Sequence, residues 1–199
     1  MDTMILYGRN FSPFTRRVAI TLNHLGVAYE QKPLSTLEDI EAIRLLNPLG
    51  RVPCLSVAEE VFIDSDAIID YLLSRNPQHT LLPQALNARQ RCMYDNALAK
   101  GVMEKCVAYF YETTRREPAL VSETVAKHYQ NQVMQGLEAL DSRLLLKASE
   151  QQLDLSDISI FVAYQSACSV FKDQLPTFST LARMSAVYEA WPTFHQSPL

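Results

Sequence analysis

"FSPFTRRV", Phe11 to Val18, follows closely on a short apolar run, "MILY", Met4 to Tyr7. A run of that length reads as a buried strand. Ser12 and Pro13 then form a helix start, a hydroxyl at the N-cap and proline at the first helical position. From Pro13 onward, Phe14, Val18, Leu22 and Leu25 recur at helical spacing, and Gly26 follows as a C-terminal glycine. A strand therefore passes into a helix through a turn that carries a serine hydroxyl.

The same alternation continues outward from this turn. "VAYEQ" (Val27 to Gln31) predicts a second strand, and Ser35 or Thr36 can cap a helix running to about Leu46. "NPLGR" (Asn47 to Arg51) is a loop by its proline and glycine. "VPCLSV" and "VFI" are close enough for a hairpin, and Ala67, Ile68, Tyr71 and Leu72 predict a helical stripe after Ser65. The pattern fits a mixed sheet with helices on its faces. "RNPQHTLLP" (Arg75 to Pro83) changes the composition and reads as a linker. Beyond it, helical spacing runs over about Asn87 to Glu117, Glu123 to Ala148, Ser156 to Lys172 and Phe178 to Ala190. The expected organisation is an α/β domain over 1–76, a linker over 77–83 and an all-helical domain over 84–199.

Composition narrows the function classes. The chain has 199 residues, 48% of them hydrophobic, which suffices to bury a core and argues against disorder. A formal charge of -4 without a long basic run argues against a nucleic-acid partner. "MDTMILYGRN" lacks the charged and apolar regions of a signal peptide, and no apolar run approaches the roughly 18 residues of a membrane helix. Cys54, Cys92, Cys106 and Cys168 show no metal-ligand spacing, so no metal is expected; they read as reduced, mostly buried thiols. The expected location is cytoplasmic.

Four stretches in order carry a resemblance: "SPFTRRV", "NPLGRVPCL", "DSDAIIDYL" and "LDLSDISIF". Together they resemble a soluble glutathione S-transferase, of the bacterial serine-using type, over essentially the whole chain. The resemblance implies a thioredoxin-like N-terminal domain that binds glutathione. It also implies an all-α C-terminal domain that supplies most of the pocket for a small hydrophobic electrophile, and a homodimer. Regulatory or binding proteins without turnover share this fold, as do glutathione-dependent peroxidases and isomerases, so activity has to be argued from the site.

The resemblance places Ser12 at the thiol-activating position, with Tyr7, at the end of the first strand, as the rival. Ser12 is preferred, because a strand-end aromatic is more often packing. A free thiol has a pKa of about 8.5, so little thiolate exists at neutral pH. A hydroxyl cannot remove that proton, but it can donate to the sulfur anion, and a helix N-terminus adds positive potential. The redox branch of the family has a cysteine here, and Ser12 argues against that chemistry. Val52-Pro53 resembles the family's cis-proline turn, whose Val52 backbone would pair with the cysteinyl unit. Arg51 would meet the glycyl carboxylate. Asp64 would accept from the γ-glutamyl ammonium, and Ser65 would donate to the γ-glutamyl carboxylate. Phe11, Met103, Phe110 and Tyr111 are the candidate walls of the co-substrate pocket. Arg16 and Arg17 read as solvated or interdomain salt-bridging side chains. Asp154 and Asp157 read as the N-cap and third residue of a structural capping box, with Leu153 and Ile158 as its hydrophobic staple.

Overall fold

The computed structural model describes residues 3–199. The chain divides into two compact units, one ending at Leu81 and joined by Glu189–Leu199, the other spanning Leu82–Tyr188.

The first unit is built on a mixed sheet of β1 (Met4–Tyr7), β2 (Glu30–Lys32), β3 (Cys54–Val57) and β4 (Glu60–Ile63), in the order β2-β1-β3-β4. β1 and β2 are parallel, whereas β3 is antiparallel to both β1 and β4. α1 (Pro13–His24) and α3 (Ser65–Arg75) pack on each other and on the sheet. Leu6, Val18, Ile20, Leu22, Leu55, Ile68 and Leu72 form the fully buried centre of this layer. Gly26, at φ 65°, ends α1 in a left-handed conformation that costs a glycine little.

Three local expectations shift. The strand expected at Val27 to Gln31 pairs only over Glu30–Lys32. The helix expected from Ser35 or Thr36 is the shorter α2 (Ile40–Arg44), because Asp39 Oδ2 accepts from the Ser35 N–H and closes a turn instead. On α3 the buried face is Ile68, Ile69, Leu72 and Leu73, while Ala67 is exposed. That helix is covered by α1 on one side and by β3 and β4 on the other, so its apolar face is wider than one stripe.

The second unit is helical. α4 (Leu86–Phe110) packs against α5 (Glu123–Arg143) and α6 (Leu155–Phe171), and α7 (Ser179–Glu189) lies mostly in the same unit. α4 ends in a π-helical turn over Tyr111–Arg115, where the buried Glu112 carboxylate accepts from the Ser122 N–H at 2.7 Å. The capping box of α6 forms as read: Asp154 accepts from the Ser156 N–H at 2.9 Å, and Asp157 accepts from the Asp154 N–H at 2.8 Å. Lys147 Nζ lies 3.1 Å from Asp154 and 3.5 Å from Asp157, which offsets the repulsion of the two carboxylates.

The expected helical domain over 84–199 departs from the structure at its end. Residues Glu189–Leu199, including the short helix α8 (Pro192–His195), belong with the first unit. The cause is polar and local: Arg16 Nε donates to Ser197 O, and Asn23 Nδ2 donates to Ser197 Oγ.

Candidate active site

The C-terminal end of β1 is where the proposed site residues meet. Ser12 is the N-cap of α1, and its Oγ accepts from the Thr15 N–H at 3.4 Å. The Val52-Pro53 peptide is cis, and the β1–β3 ladder stops at the Tyr7–Cys54 pair, leaving Val52 beyond it. Gly8, just after β1, joins these pieces. A Cβ added at Gly8 would sit 2.4 Å from Thr15 Oγ1 and 3.0 Å from Val52 Cβ, so loop, first turn of α1 and proline turn are in close contact. Gln31 Nε2 holds the same loop, donating to Gly8 O and Asn10 Oδ1 at 2.9 Å each.

The start of α3 is tied to this end of the sheet. Asp64 is its N-cap, at φ 71°, a region unfavourable to a side chain other than glycine. Such conformations cluster at functional sites. Its Oδ1 accepts from the N–H groups of Asp66 and Ala67. Ser65, the first helical residue, is buried, and its Oγ accepts from Arg17 Nη1 at 3.1 Å.

Arg16 and Arg17 differ from expectation. Neither is solvated. Both guanidiniums are enclosed within the first unit, Arg16 on the C-terminal segment and Arg17 on Ser65 and Asp66. Burial lowers both pKa values, with Glu189 opposing at Arg16 and Asp66 opposing at Arg17. A signal was present in the sequence. From Val18 to Leu22 only Thr21 is polar, and its hydroxyl donates to the Arg17 carbonyl, so this stretch of α1 presents no face that needs water.

The remaining candidates separate. Tyr7 is half-buried, with its hydroxyl accepting from Ser56 Oγ at 3.4 Å, back along the sheet, and Lys32 Nζ above its ring. Arg51 is exposed, and its carbonyl accepts from Asn47 Nδ2. Phe11 is exposed in the first unit; in the second, Phe110 is half-buried and Tyr111 is exposed. Met103 is fully enclosed, so the surface expected to face a co-substrate is taken up by core packing. Burial pushes the Cys54 thiol up to about 11 and those of Cys92 and Cys106 to about 12, so none is a ready thiolate at neutral pH. Cys168 is exposed, unlike the other three. Among the described residues no cluster of potential ligands suits a metal ion, and no helix is long and apolar enough to cross a membrane.

Comparison with known proteins matches this geometry. Residues 6–80 fit the model of the glutathione S-transferase N-terminal domain. Glutathione S-transferase Z2 of Arabidopsis thaliana is 27% identical, over 96% of this chain and 89% of its own. The maleylacetoacetate isomerase of Pseudomonas aeruginosa is 42% identical over a shorter stretch, 38% of each chain. A glutathione S-transferase from Methylobacillus flagellatus, solved with glutathione bound, superposes with a TM-score of 0.88 at 27% identity, covering 99% of this chain and 100% of that one. The chain thus has a thioredoxin-like N-terminal sheet followed by a helical unit, the fold of the solved glutathione S-transferase it matches. The chain is similar to glutathione S-transferases, by the family model over residues 6–80 and by whole-chain resemblance to the relatives and structure above.

Proposed function

We propose that this protein binds glutathione at the end of β1 and uses its thiolate on a small electrophile. The observation that carries the reading is the convergence of Ser12, Val52–cis-Pro53 and Ser65 within one unit. Ser12 would donate to the sulfur anion at the N-terminus of α1, lowering the thiol pKa. The Val52 backbone would pair with the cysteinyl unit. Ser65 and Asp64 would take the γ-glutamyl carboxylate and ammonium, and Arg51 the glycyl carboxylate. Phe11, Phe110 and Tyr111 remain proposed contacts for the electrophile, and a cytoplasmic homodimer is the proposed form.

Two outcomes share the first chemical step. The thiolate attacks an electrophilic carbon and forms a carbon–sulfur bond. If a leaving group departs, or the adduct keeps the sulfur, the product is a conjugate. If the carbon belongs to a cis double bond conjugated to a carbonyl, the adduct has a single bond there. Rotation and expulsion of the thiolate then return the trans isomer with no net change in atoms. The match to a maleylacetoacetate isomerase favours testing this second outcome.

The test is calorimetry with glutathione, followed by two assays: conjugation of an aryl halide and cis–trans isomerisation of maleylacetoacetate. Binding with glutathione-dependent turnover of either is the expected result. Binding with neither reaction would indicate a ligand-binding module, and absence of glutathione binding would remove the reading.

A further inference from the structure

Two enclosed threonines lie on α1, Thr15 and Thr21, both 0% exposed. Their hydroxyls are used differently. Thr21 Oγ1 donates to the Arg17 carbonyl, one turn back, at 2.8 Å, which is how a helix commonly satisfies a buried threonine. Thr15 Oγ1 makes no hydrogen bond among the described residues. A buried hydroxyl left unmatched is unfavourable, so its presence calls for a reason.

Helix capping does not supply that reason. Thr15 is the third residue of α1, from which a side chain can reach back to the N–H of the N-cap. The Ser12 N–H is already committed, donating to Arg9 O at 3.0 Å. Only the Thr15 N–H serves the cap, donating to Ser12 Oγ at 3.4 Å. The position of the hydroxyl is more informative. A Cβ added at Gly8 would lie 2.4 Å from Thr15 Oγ1, 3.1 Å from its Cγ2 and 3.0 Å from Val52 Cβ. The oxygen, not the methyl, is therefore turned most closely to the junction of the loop after β1 and the cis-proline turn. An uncommitted donor thus stands one helical turn from Ser12, on the residue whose N–H already bonds to it.

We infer that Thr15 is a positioning residue for the thiolate step: its hydroxyl is kept free to donate to Ser12 Oγ when Ser12 gives its own proton to the sulfur anion. This rests on the proposed function, under which Ser12 faces the glutathione sulfur. A hydroxyl oxygen that donates still has two lone pairs. In the resting protein the Thr15 N–H meets one of them at long range. Ser12, weakly held by that bond, settles against both Thr15 donors once its proton is engaged. Donors arranged in such a chain polarise one another, so the Ser12 proton becomes a stronger donor to sulfur. No bond is made or broken at Thr15.

The test separates the hydroxyl from the volume of the side chain. Thr15→Val, Thr15→Ala and Thr15→Ser are compared with the parent by a pH titration of thiolate absorbance with glutathione bound, by calorimetry and by denaturation midpoint. The bound thiol pKa should rise by about 0.5 to 1 unit in Thr15→Val and Thr15→Ala, a threefold to tenfold loss of thiolate at low pH. Thr15→Ser should stay near the parent, and glutathione affinity should change less than twofold in all three. If Thr15→Val fails to fold, the alanine and serine pair decides the matter. Because Thr15 acts through Ser12, Ser12→Ala with Thr15→Val should raise the pKa no further than Ser12→Ala alone. An unchanged pKa in the variants lacking the hydroxyl, a shift in Thr15→Ser equal to that in Thr15→Ala, or additive effects in the double variant would overturn the assignment. A parent that binds no glutathione, or whose bound thiol is unaffected by Ser12→Ala, would instead remove the reading beneath it.

Discussion

Arg16 Nε donates to Ser197 O at 2.8 Å, joining α1 to a residue 181 positions further along the chain. Asn23, two turns further along the same face of the helix, donates to Ser197 Oγ at 2.9 Å and to Thr193 O at 3.3 Å. α1 is therefore held from two sides by adjacent arginines, one on the C-terminal segment and one on α3. Burial pushes the Arg16 guanidinium down to about 10, with Glu189 opposing, so it stays charged at neutral pH. Arg16→Met removes the donor and leaves an enclosed carbonyl without it. We expect a loss of about 1–3 kcal/mol in chemical denaturation, with the C-terminal residues becoming open to carboxypeptidase. An unchanged midpoint and a protected terminus would mean that Asn23 holds the segment alone.

Gly101 and Gly136, both inside helices, are expected to respond oppositely to alanine. A Cβ at Gly136 on α5 would lie 2.5 Å from Val102 Cγ2 on α4, whereas one at Gly101 meets nothing within 4 Å. Helix propensity alone favours alanine by about 1 kcal/mol at either position. At Gly101 that gain should appear as a raised midpoint. At Gly136 overpacking costs about 1–3 kcal/mol and should win, because the helices must separate. Thermal denaturation of the two variants decides this; stabilisation at both would mean that Val102 has another rotamer available.

The α6 cap should make stability depend on pH. Burial raises the Asp157 carboxyl to about 7, and the Asp154 charge adds to the shift, while the Asp154 N–H and Lys147 oppose it. Asp154 goes the other way: burial would raise it, but the Ser156 hydroxyl and Lys147 outweigh that and lower it. The pair thus keeps its proton on Asp157. Because the folded pKa exceeds the unfolded value, the folded state holds a proton that the unfolded state lacks between 3.8 and about 7. Its contribution is full below that window, falls as pH rises through it, and is gone above it, by at most about 4 kcal/mol. Asp157→Asn keeps an acceptor for the Asp154 N–H and removes the titration. Denaturation midpoints from pH 5 to 8 should therefore fall less steeply for the variant, and parallel curves would place the proton elsewhere.

These features were unequally legible in the sequence. The cap at Ser12, the glycine after α1 and the Asp154 box are local signals, because each depends on a few adjacent residues, whereas the cis Val52-Pro53 peptide was expected only from the resemblance. Residues set by tertiary contact were not legible in the same way. Arg17 looks like any helix arginine until α3 is placed beside it, and Gln31 looks like a strand-edge polar residue until it holds the Gly8–Asn10 loop. Met103 illustrates the reverse case, since helical spacing alone does not tell a pocket wall from a core residue. The π-helical turn at Tyr111–Arg115 also escaped, because what accompanies it is Glu112 reaching the Ser122 N–H across a loop.

The serine assignment carries the final prediction. Ser12 Oγ accepts only a long 3.4 Å bond from the Thr15 N–H, so its own proton remains available to a sulfur anion at the start of α1. The Tyr7 hydroxyl instead accepts from Ser56 Oγ at 3.4 Å, back along the sheet. Glutathione recognition is proposed to lie mainly at Val52 and Ser65, so Ser12→Ala should still bind it. The bound thiol should lose one charged hydrogen bond, worth roughly 1.5–3 kcal/mol, and its pKa should rise by about one to two units. Loss of the cap should also lower stability by about 0.5–2 kcal/mol, so folding is verified first. Ser12→Cys should gain disulfide-exchange activity, since a thiol at a helix N-terminus is readily ionised. Tyr7→Phe should leave the thiol pKa close to the parent's. The measurement is a pH titration of thiolate absorbance with glutathione bound to the parent and to each alanine or phenylalanine variant. A raised pKa in Tyr7→Phe and none in Ser12→Ala would transfer the role to Tyr7, and thiolate in none of them would mean that the site binds glutathione without activating it.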